Sequence, residues 1–498
     1  MERLNVLRNL SFGSRVAEEE AEKLKHYFVK TDIWYQLLAG NIDIVYGPKG
    51  SGKSALYSLL TSNDDGLFDQ GVLLTAAENP RGATAFRGIT ADPPASELEF
   101  VGLWKLYISA LLHDVLAEYD IKNAHAVKLG EILRSEGLAK GSLNLGQLLS
   151  RAFLYIKQHF RPGAVETTVT IDPITQMPTV GGKIIFSPLD KSSSIDPILV
   201  DSLLELANSA LIESGFKVWI LLDRLDIAFS EHEDLESNAL RALFRVYLDL
   251  MSYEHIQIKI FLRTDIWSRI TSEGFREASH ITKHLTIKWS DSALLNLIIK
   301  RAVHNVAIRE YYSVGLDILD APFADQKALF YRMFPQQVEV GPNKPTTFDW
   351  MVSRTKDGLG VSAPRELIHY LNKLRELQTQ KLEIGDNALE DKKLFARTTF
   401  KAALPEVSQV RLEQTIYAEY PQYKVSLEKL RGAKTLQTVR SLEAIWGVST
   451  EEAFRIATAL VGIGFFEEKG SRSAPEYWVP FLYRPGLDFS QGTEDTGD

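Results

Sequence analysis

The sequence predicts an α/β fold with a parallel sheet at its centre, and three observations predict it. Residues 42–46 (Ile-Asp-Ile-Val-Tyr) are a β-rich run that stops at Gly47, and helical character follows from Lys53 to about residue 60. Residues 218–222 (Val-Trp-Ile-Leu-Leu) are unbroken apolar and end in Asp223, as expected of a strand buried on both faces. A similar run, residues 256–262, ends in Arg263, Thr264 and Asp265. Strands alternating with helices in this way form a parallel sheet with helices on both sides.

The remaining elements follow in order. Residues 16–38 place apolar positions at helical spacing among many Glu and Lys, so one or two amphipathic helices are expected to lead into the core. A strand is expected at 72–75 and a long helix at 103–119, with Trp104, Leu106, Leu111, Leu112 and Val115 among its apolar positions. Between 165 and 188, two β-rich runs flank a Pro-containing connection, which reads as a hairpin inserted into the core. A helix at 197–214 precedes the run that ends at Asp223. Residues 290–377 read as mostly helical, and Pro364 is placed to open a helix. Near 450 a helix begins with Ser449 or Thr450 as its cap, and two strands around Gly470 and Ser471 follow, a helix-plus-hairpin unit like a winged helix. The expected organisation is a helical lead-in (1–40), a core with its hairpin insertion (41–289), a helical lid (290–400), a winged-helix-like domain (401–490) and a disordered acidic tail (491–498).

Composition sets the outer limits. At 498 residues, one hydrophobic core is exceeded and about three or four structural units are expected. Hydrophobic residues at 45% and charged residues at 24% are ordinary for a folded chain and argue against extensive disorder. The net charge of −9 gives no global pull toward nucleic acid, so such binding would need a local basic patch. No run approaches the roughly 18 apolar residues that span a bilayer, and the first five residues lack the apolar run of a signal peptide. A cytoplasmic protein with no membrane partner is expected. The absence of cysteine excludes disulfides, thiolate zinc sites and cysteine nucleophiles. The histidines lack metal-binding spacing, and His232, among acidic residues, reads as solvated, so no transition metal is assigned.

The chemistry-bearing motif is Gly47-Pro48-Lys49-Gly50-Ser51-Gly52-Lys53-Ser54, followed by Ala55. Polyphosphate must be held without bulky side chains in the way, so Gly47, Gly50 and Gly52 let backbone N–H groups curl around it. Lys53 brings a mobile cation to the β- and γ-phosphates, Ser54 a hydroxyl ligand for Mg2+, and the new helix the positive end of its dipole. ATP and Mg2+ are therefore the expected cofactors, although such a loop reads phosphates and leaves GTP open. The metal also needs a carboxylate at the end of a neighbouring strand, and Asp223 fits that Walker B position.

Many ATPases place Glu directly after this Asp to orient the attacking water, whereas here the next residue is Arg224. Asp226 is the best substitute, with Glu231 and Glu233 behind it. Arg263 and Thr264, at the end of a buried strand, are candidates to sense the γ-phosphate, as is Arg365 at the opening of a later helix. For an arginine finger from a neighbouring subunit, the sequence does not choose among Arg241, Arg245, Arg269 and Arg276.

Taken together, Phe12-Gly13-Ser14-Arg15-Val16 with the acidic run after it, the P-loop, Leu222-Asp223-Arg224-Leu225-Asp226, Phe261-Leu262-Arg263-Thr264-Asp265 and the ending Val479-Pro480-Phe481-Leu482-Tyr483-Arg484 resemble a bacterial family. These are the origin-recognition-like P-loop ATPases, close to the AAA+ and STAND classes, found in phage-defence and mobile-element gene neighbourhoods. The resemblance implies an AAA+-like core, a helical lid whose Arg365 looks like the second sensor, and a C-terminal winged helix. It also implies ATP-driven homo-oligomer switching, an effector protein as partner and a part in anti-phage defence. In this class an acidic residue usually follows the Walker B aspartate, so Arg224 departs from the pattern. Duplex DNA stays open as a partner, because residues 451–460 of the candidate recognition helix carry one basic residue and two acidic ones.

Two readings result. The first is an ATPase switch whose nucleotide-dependent surface controls an effector or nucleic-acid partner. The second, favoured by Arg224, is a scaffold that binds ATP with little hydrolysis and works through the 165–188 hairpin and the wing. A small-molecule P-loop kinase fits less well, since the long lid and winged C-terminus have no place in it.

Overall fold

The computed structural model describes residues 2–14, 20–77, 96–139, 145–159, 165–171, 178–186, 198–225, 233–386, 392–471 and 474–493. The chain separates into two compact units, one of Met1–Thr31, Pro48–Gly52 and Ile287–Asp498, the other of Asp32–Gly47 and Lys53–Thr286. The segment expected as a single lead-in is thus divided between them.

In the second unit the strands are β1 (Ile44–Gly47), β2 (Val72–Ala76), β3 (Val165–Ile171), β4 (Pro178–Phe186), β5 (Ile198–Leu199), β6 (Lys217–Leu222), β7 (Ile256–Arg263) and β8 (His284–Thr286). Five make one parallel sheet in the order β2-β6-β7-β1-β8. β7 therefore lies between β1 and β6, with Gly47 beside Arg263 and Leu222 beside Ile260. Inserted before β6, β3 and β4 pair antiparallel from Val165 opposite Ile184 to Ile171 opposite Pro178, and β5 pairs with β4. The connection at 172–177 lies outside the described residues.

Helices Glu97–Glu118, Val200–Ser214 and Glu233–Leu250 pack with the sheet in one core that includes Ile44, Val218, Ile220, Ile258 and Ile260. The long helix starts six residues earlier than its apolar pattern suggested, capped by Ser96, whose hydroxyl accepts from the Glu99 N–H. It also corrects the expectation that no segment is apolar enough to span a bilayer. By length and composition Glu97–Glu118 is such a helix, yet 83% of its most apolar window is buried within the protein. No continuous apolar run marks it, because single polar residues interrupt the pattern, among them Lys105, which is buried between Asp201 and Asp249, each 2.7 Å away.

At the other edge of the sheet from the loop after β1, a charged pair is wholly enclosed. Lys259 in β7 reaches Asp43 at 2.7 Å and the Ile42 carbonyl at 2.9 Å, and lies 4.3 Å from the Trp219 ring centroid. Asp43 also accepts from the Tyr247 hydroxyl at 3.1 Å. Desolvation lowers the Lys259 ammonium below its ordinary pKa, opposed by Asp43.

The first unit is helical and then winged. Its core gathers Leu367, Tyr370, Leu371 and Leu374 of helix Pro364–Glu383, which opens at the expected proline, with Trp350, Phe400, Phe330 and Phe334. Helix Arg3–Asn9 lies within the expected helical lead-in, ahead of the 16–38 stretch whose spacing showed a period, since seven residues with only Val6 and Leu7 buried are too few to show one. The stretch after it is pinned to this unit. Asn372 donates to the Gly13 carbonyl at 2.7 Å, Arg375 to that of Leu10 at 2.9 Å, and buried Arg301 pairs with Glu20 at 3.0 Å.

The C-terminal part runs helix Lys424–Lys429, β9 (Lys434–Thr438), helices Val439–Trp446 and Thr450–Gly462, β10 (Glu467–Ser471), β11 (Ala474–Trp478) and β12 (Ser490–Thr493). Its sheet order is β10-β11-β9-β12, so a hairpin is added to a strand that precedes two helices, the winged-helix arrangement. Ser449 is the cap of the second helix, as one of the two expected alternatives had it. β12 adds a strand parallel to β9, within the segment from 491 expected to be disordered; residues beyond Thr493 lie outside the described residues.

Replacing Asp43 with Ala should leave the buried Lys259 unpaired and cost about 3–5 kcal/mol. Calorimetry should show a markedly lower transition for Asp43→Ala, largely recovered in Asp43→Ala/Lys259→Met, where no buried charge remains.

Candidate functional site

The loop after β1 is built for close approach of backbone to a ligand. Gly50 and Gly52 have φ of +82° and +103°, conformations that side-chain-bearing L residues rarely adopt. The turn closes through the Ser51 N–H, which donates to the Pro48 carbonyl at 3.2 Å, and helix Lys53–Thr61 begins at the loop's end with Ser54 and Ala55 in its first turn. Lys53 Nζ donates to the Gly47 carbonyl at 2.8 Å, so its ammonium sits at the loop itself. Strand, glycine loop and helix stand in the order that the motif demands.

Asp223 follows β6 at the same C-terminal edge of the sheet, buried to 5% exposure. Its neighbour Arg224 adopts a left-handed φ of +60°, which costs a residue with a Cβ about 1 kcal/mol or more. The chain is thus turned sharply just where other ATPases carry an acidic residue. Asp226 and Glu231 lie outside the described residues, as does the side chain of Glu233.

Arg263, at the end of β7, is gripped by Asp265 through two bonds, Nε at 3.1 Å and Nη2 at 2.6 Å. A γ-phosphate would have to compete with that carboxylate. Thr264, the next residue, has a buried hydroxyl without a hydrogen-bond partner and opens helix Thr264–Ser272. Of the arginine-finger candidates, Arg241 pairs with Glu273, Arg245 with Glu97 and Glu277, and Arg269 with Glu236. Arg276 is exposed and has no carboxylate within 4 Å among the described residues.

Residues Pro48–Gly52 are themselves packed in the first unit. A Cβ placed on Gly50 would lie 3.0 Å from the Arg365 Cβ, so Arg365, in the first turn of helix Pro364–Glu383, backs the loop directly. Trp289 Nε1 donates to the Ser51 carbonyl at 2.8 Å, and its ring stands 3.9 Å from where a Gly52 Cβ would be. Lys49 reaches Glu419 in an ion pair. Sequence reasoning found Arg365 through the proline before it. It missed Trp289 and Glu419, which no motif marks and which only folding brings to the loop.

Oxygen donors are what a hard divalent cation takes, and Ser54 and Asp223 supply them. Among the described residues no group of three or more His, Asp or Glu could hold a metal unaided. A magnesium ion here would draw its other ligands from phosphate and water, as this ion usually does.

The basic residues preceding the candidate recognition helix are largely engaged internally. Arg431 pairs with Glu428 and Asp488, Lys429 donates to the Trp446 carbonyl, and Arg455 within that helix pairs with Glu452.

The class these features define is an α/β P-loop fold of AAA+-like kind with a C-terminal winged helix, since a strand separates the loop strand from the strand that carries Asp223. No family model matches the chain, and no curated protein matches it. Among solved structures it is similar to the Aeropyrum pernix ORC1 protein in complex with DNA, with 12% identity, a TM-score of 0.35 and coverage of 98% of this chain and 92% of that one. It is also similar to the Aeropyrum pernix ORC2 protein in ADPNP-ADP complexes (10% identity, TM-score 0.30, 95% and 93% covered) and to Cdc6p from Pyrobaculum aerophilum (12%, 0.27, 94% and 93%). At these scores the likeness carries no argument, and the class rests on strand order and loop geometry.

Gly50→Ala should strain the backbone and press on Arg365 at once. Nucleotide affinity is expected to fall by about tenfold or more, from a cost above ~1 kcal/mol, as read by titration calorimetry.

Proposed function

We propose that this protein is an ATP- and magnesium-binding P-loop switch with ATPase activity, whose nucleotide state governs its assembly and its hold on an effector or nucleic-acid partner. The observation that carries the reading is the loop with left-handed Gly50 and Gly52, set between a parallel strand and a helix whose first residue is Lys53. Backbone N–H groups of the loop would bind the phosphates, and Lys53 would exchange the Gly47 carbonyl for phosphate oxygens. Ser54 and Asp223 would hold Mg2+, which when bound offsets charge on the β- and γ-phosphates. Arg365, packed on Gly50, is assigned to sense the phosphates, and Asp226 to orient the attacking water.

Arg276 is the candidate to act on a neighbouring subunit, because the other three arginines already serve internal carboxylates. Self-association, an effector and a setting in anti-phage defence follow from the family resemblance in the sequence. Duplex DNA is included as a partner to test; the internally paired Arg455 argues for the wing or a protein contact over the recognition helix. The scaffold reading is retained on one observation, the left-handed Arg224 where a catalytic acid would stand.

Light scattering and phosphate release, with no nucleotide, ADP or ATP and with or without DNA, test the proposal. Wild type should assemble and turn over with ATP, and Lys53→Ala should lose both; unchanged affinity and turnover in Lys53→Ala would sink the reading. Asp226→Asn should cut turnover by about 10²-fold while leaving binding intact, within the range of general-base loss. Tight binding by wild type without turnover selects the scaffold. Arg276→Ala should lower turnover at saturating ATP with affinity unchanged, the pattern of an arginine finger, and mixing with Asp226→Asn chains, which bind ATP and keep Arg276, should restore part of it.

A further inference from the structure

Lys49 belongs to the phosphate loop, yet its charge is spent elsewhere. Its ammonium pairs with the Glu419 carboxylate and donates to the Gln414 carbonyl at 3.3 Å. The pair is no loose surface contact, the two side chains being only 26% and 21% exposed. Gln414 lies in a π-helical segment, Leu412–Tyr417, that continues helix Arg397–Arg411 and ends two residues before Glu419. Such turns are rare in helices and concentrate at functional sites.

The last turns of that helix are tied as well. Buried Arg411 meets Glu366, the residue after Arg365, at 2.6 Å, and Asp357 at 3.8 Å. One turn earlier, the Ser408 hydroxyl accepts the Gly486 N–H of the C-terminal segment at 2.9 Å. A cavity of about 180 Å³ opens among Lys49, Arg365, His369, Arg411 and Gln414. A cation on the loop, the residue behind the loop and the frame of the winged helix are therefore joined through one rod.

We propose that Glu419 is a positioning residue that sets nucleotide affinity: it holds Lys49 away from the phosphates and fastens the loop to the winged-helix segment. This rests on the nucleotide-binding reading of the loop. Phosphates filling the loop compete with Glu419 for Lys49, so binding works against the latch, and its release loosens the hold on residues 412–419. The coupling is reciprocal: whatever pulls Glu419 away raises nucleotide affinity.

Fluorescent ADP (a methylanthraniloyl derivative) titrated into the full-length wild type, Glu419→Gln, Lys49→Met and the double variant tests this as a cycle. Glu419→Gln is expected to bind about tenfold tighter, and the double variant no tighter than Lys49→Met alone, since the gain requires a freed Lys49. Unchanged affinity in Glu419→Gln, or a gain that survives in the double variant, overturns the latch. A merely structural Glu419 would lower thermal stability without tightening binding. If no variant and not the wild type binds, the nucleotide reading itself has failed. Amide exchange without nucleotide then decides separately: the peptide over 47–54 exchanges faster in Glu419→Gln if the latch exists, and equally in both chains if it does not.

Discussion

A backbone that is left-handed at two positions within three residues, Gly50 and Gly52, is the constraint on which the rest of this structure depends. Such a loop closes on one turn bond, from the Ser51 N–H to the Pro48 carbonyl, and is otherwise bounded by what stands at its ends and its flank. The ends are fixed by β1 and by helix Lys53–Thr61, the flank by the Trp289 bond to Ser51, by Arg365 against Gly50 and by the Lys49 pair with Glu419. β1 in turn is held between β7 and β8, and β7 between β1 and β6, which sets Arg263 beside Gly47 and Asp223 one strand further on.

Two kinds of polar contact are found, those buried in the core and those around the loop after β1. Lys259 and Lys105 are buried cations, each 2.7 Å from a carboxylate oxygen, of Asp43 for the one and of Asp201 and Asp249 for the other. Around the loop the polar groups are paired with single neighbours. Lys53 rests on a carbonyl that phosphate would displace, Arg263 on Asp265, and Lys49 on Glu419. Groups of the first kind lose stability when broken, whereas groups of the second kind can change partners, which is what a switch requires.

Arg224 gives the site its individual character. A left-handed residue with a long charged side chain stands directly after Asp223. Strain at such a point persists only where the surroundings impose it.

Local patterns were enough to read the phosphate loop, the buried strands ending at Asp223 and Arg263, the inserted hairpin and the helix-plus-hairpin near the C-terminus, because each is encoded by neighbours within a few residues. The periodicity of 2 or 3.6 and the demand for glycine at left-handed positions act over that range. Where the long helix starts, the bounds of the short helix Arg3–Asn9 and the paired state of Arg241, Arg245 and Arg269 were not legible, because caps, brief helices and ion pairs depend on which side chains meet. Trp289 and Glu419 lie some 240 and 370 positions from the loop residues they touch, separations at which no local signal survives. The sequence by itself determined the shape of the loop, through glycines at its left-handed positions written within eight consecutive residues. Only the tertiary structure decided what restrains that loop, because the restraint is made by charges and an indole that meet it through folding alone.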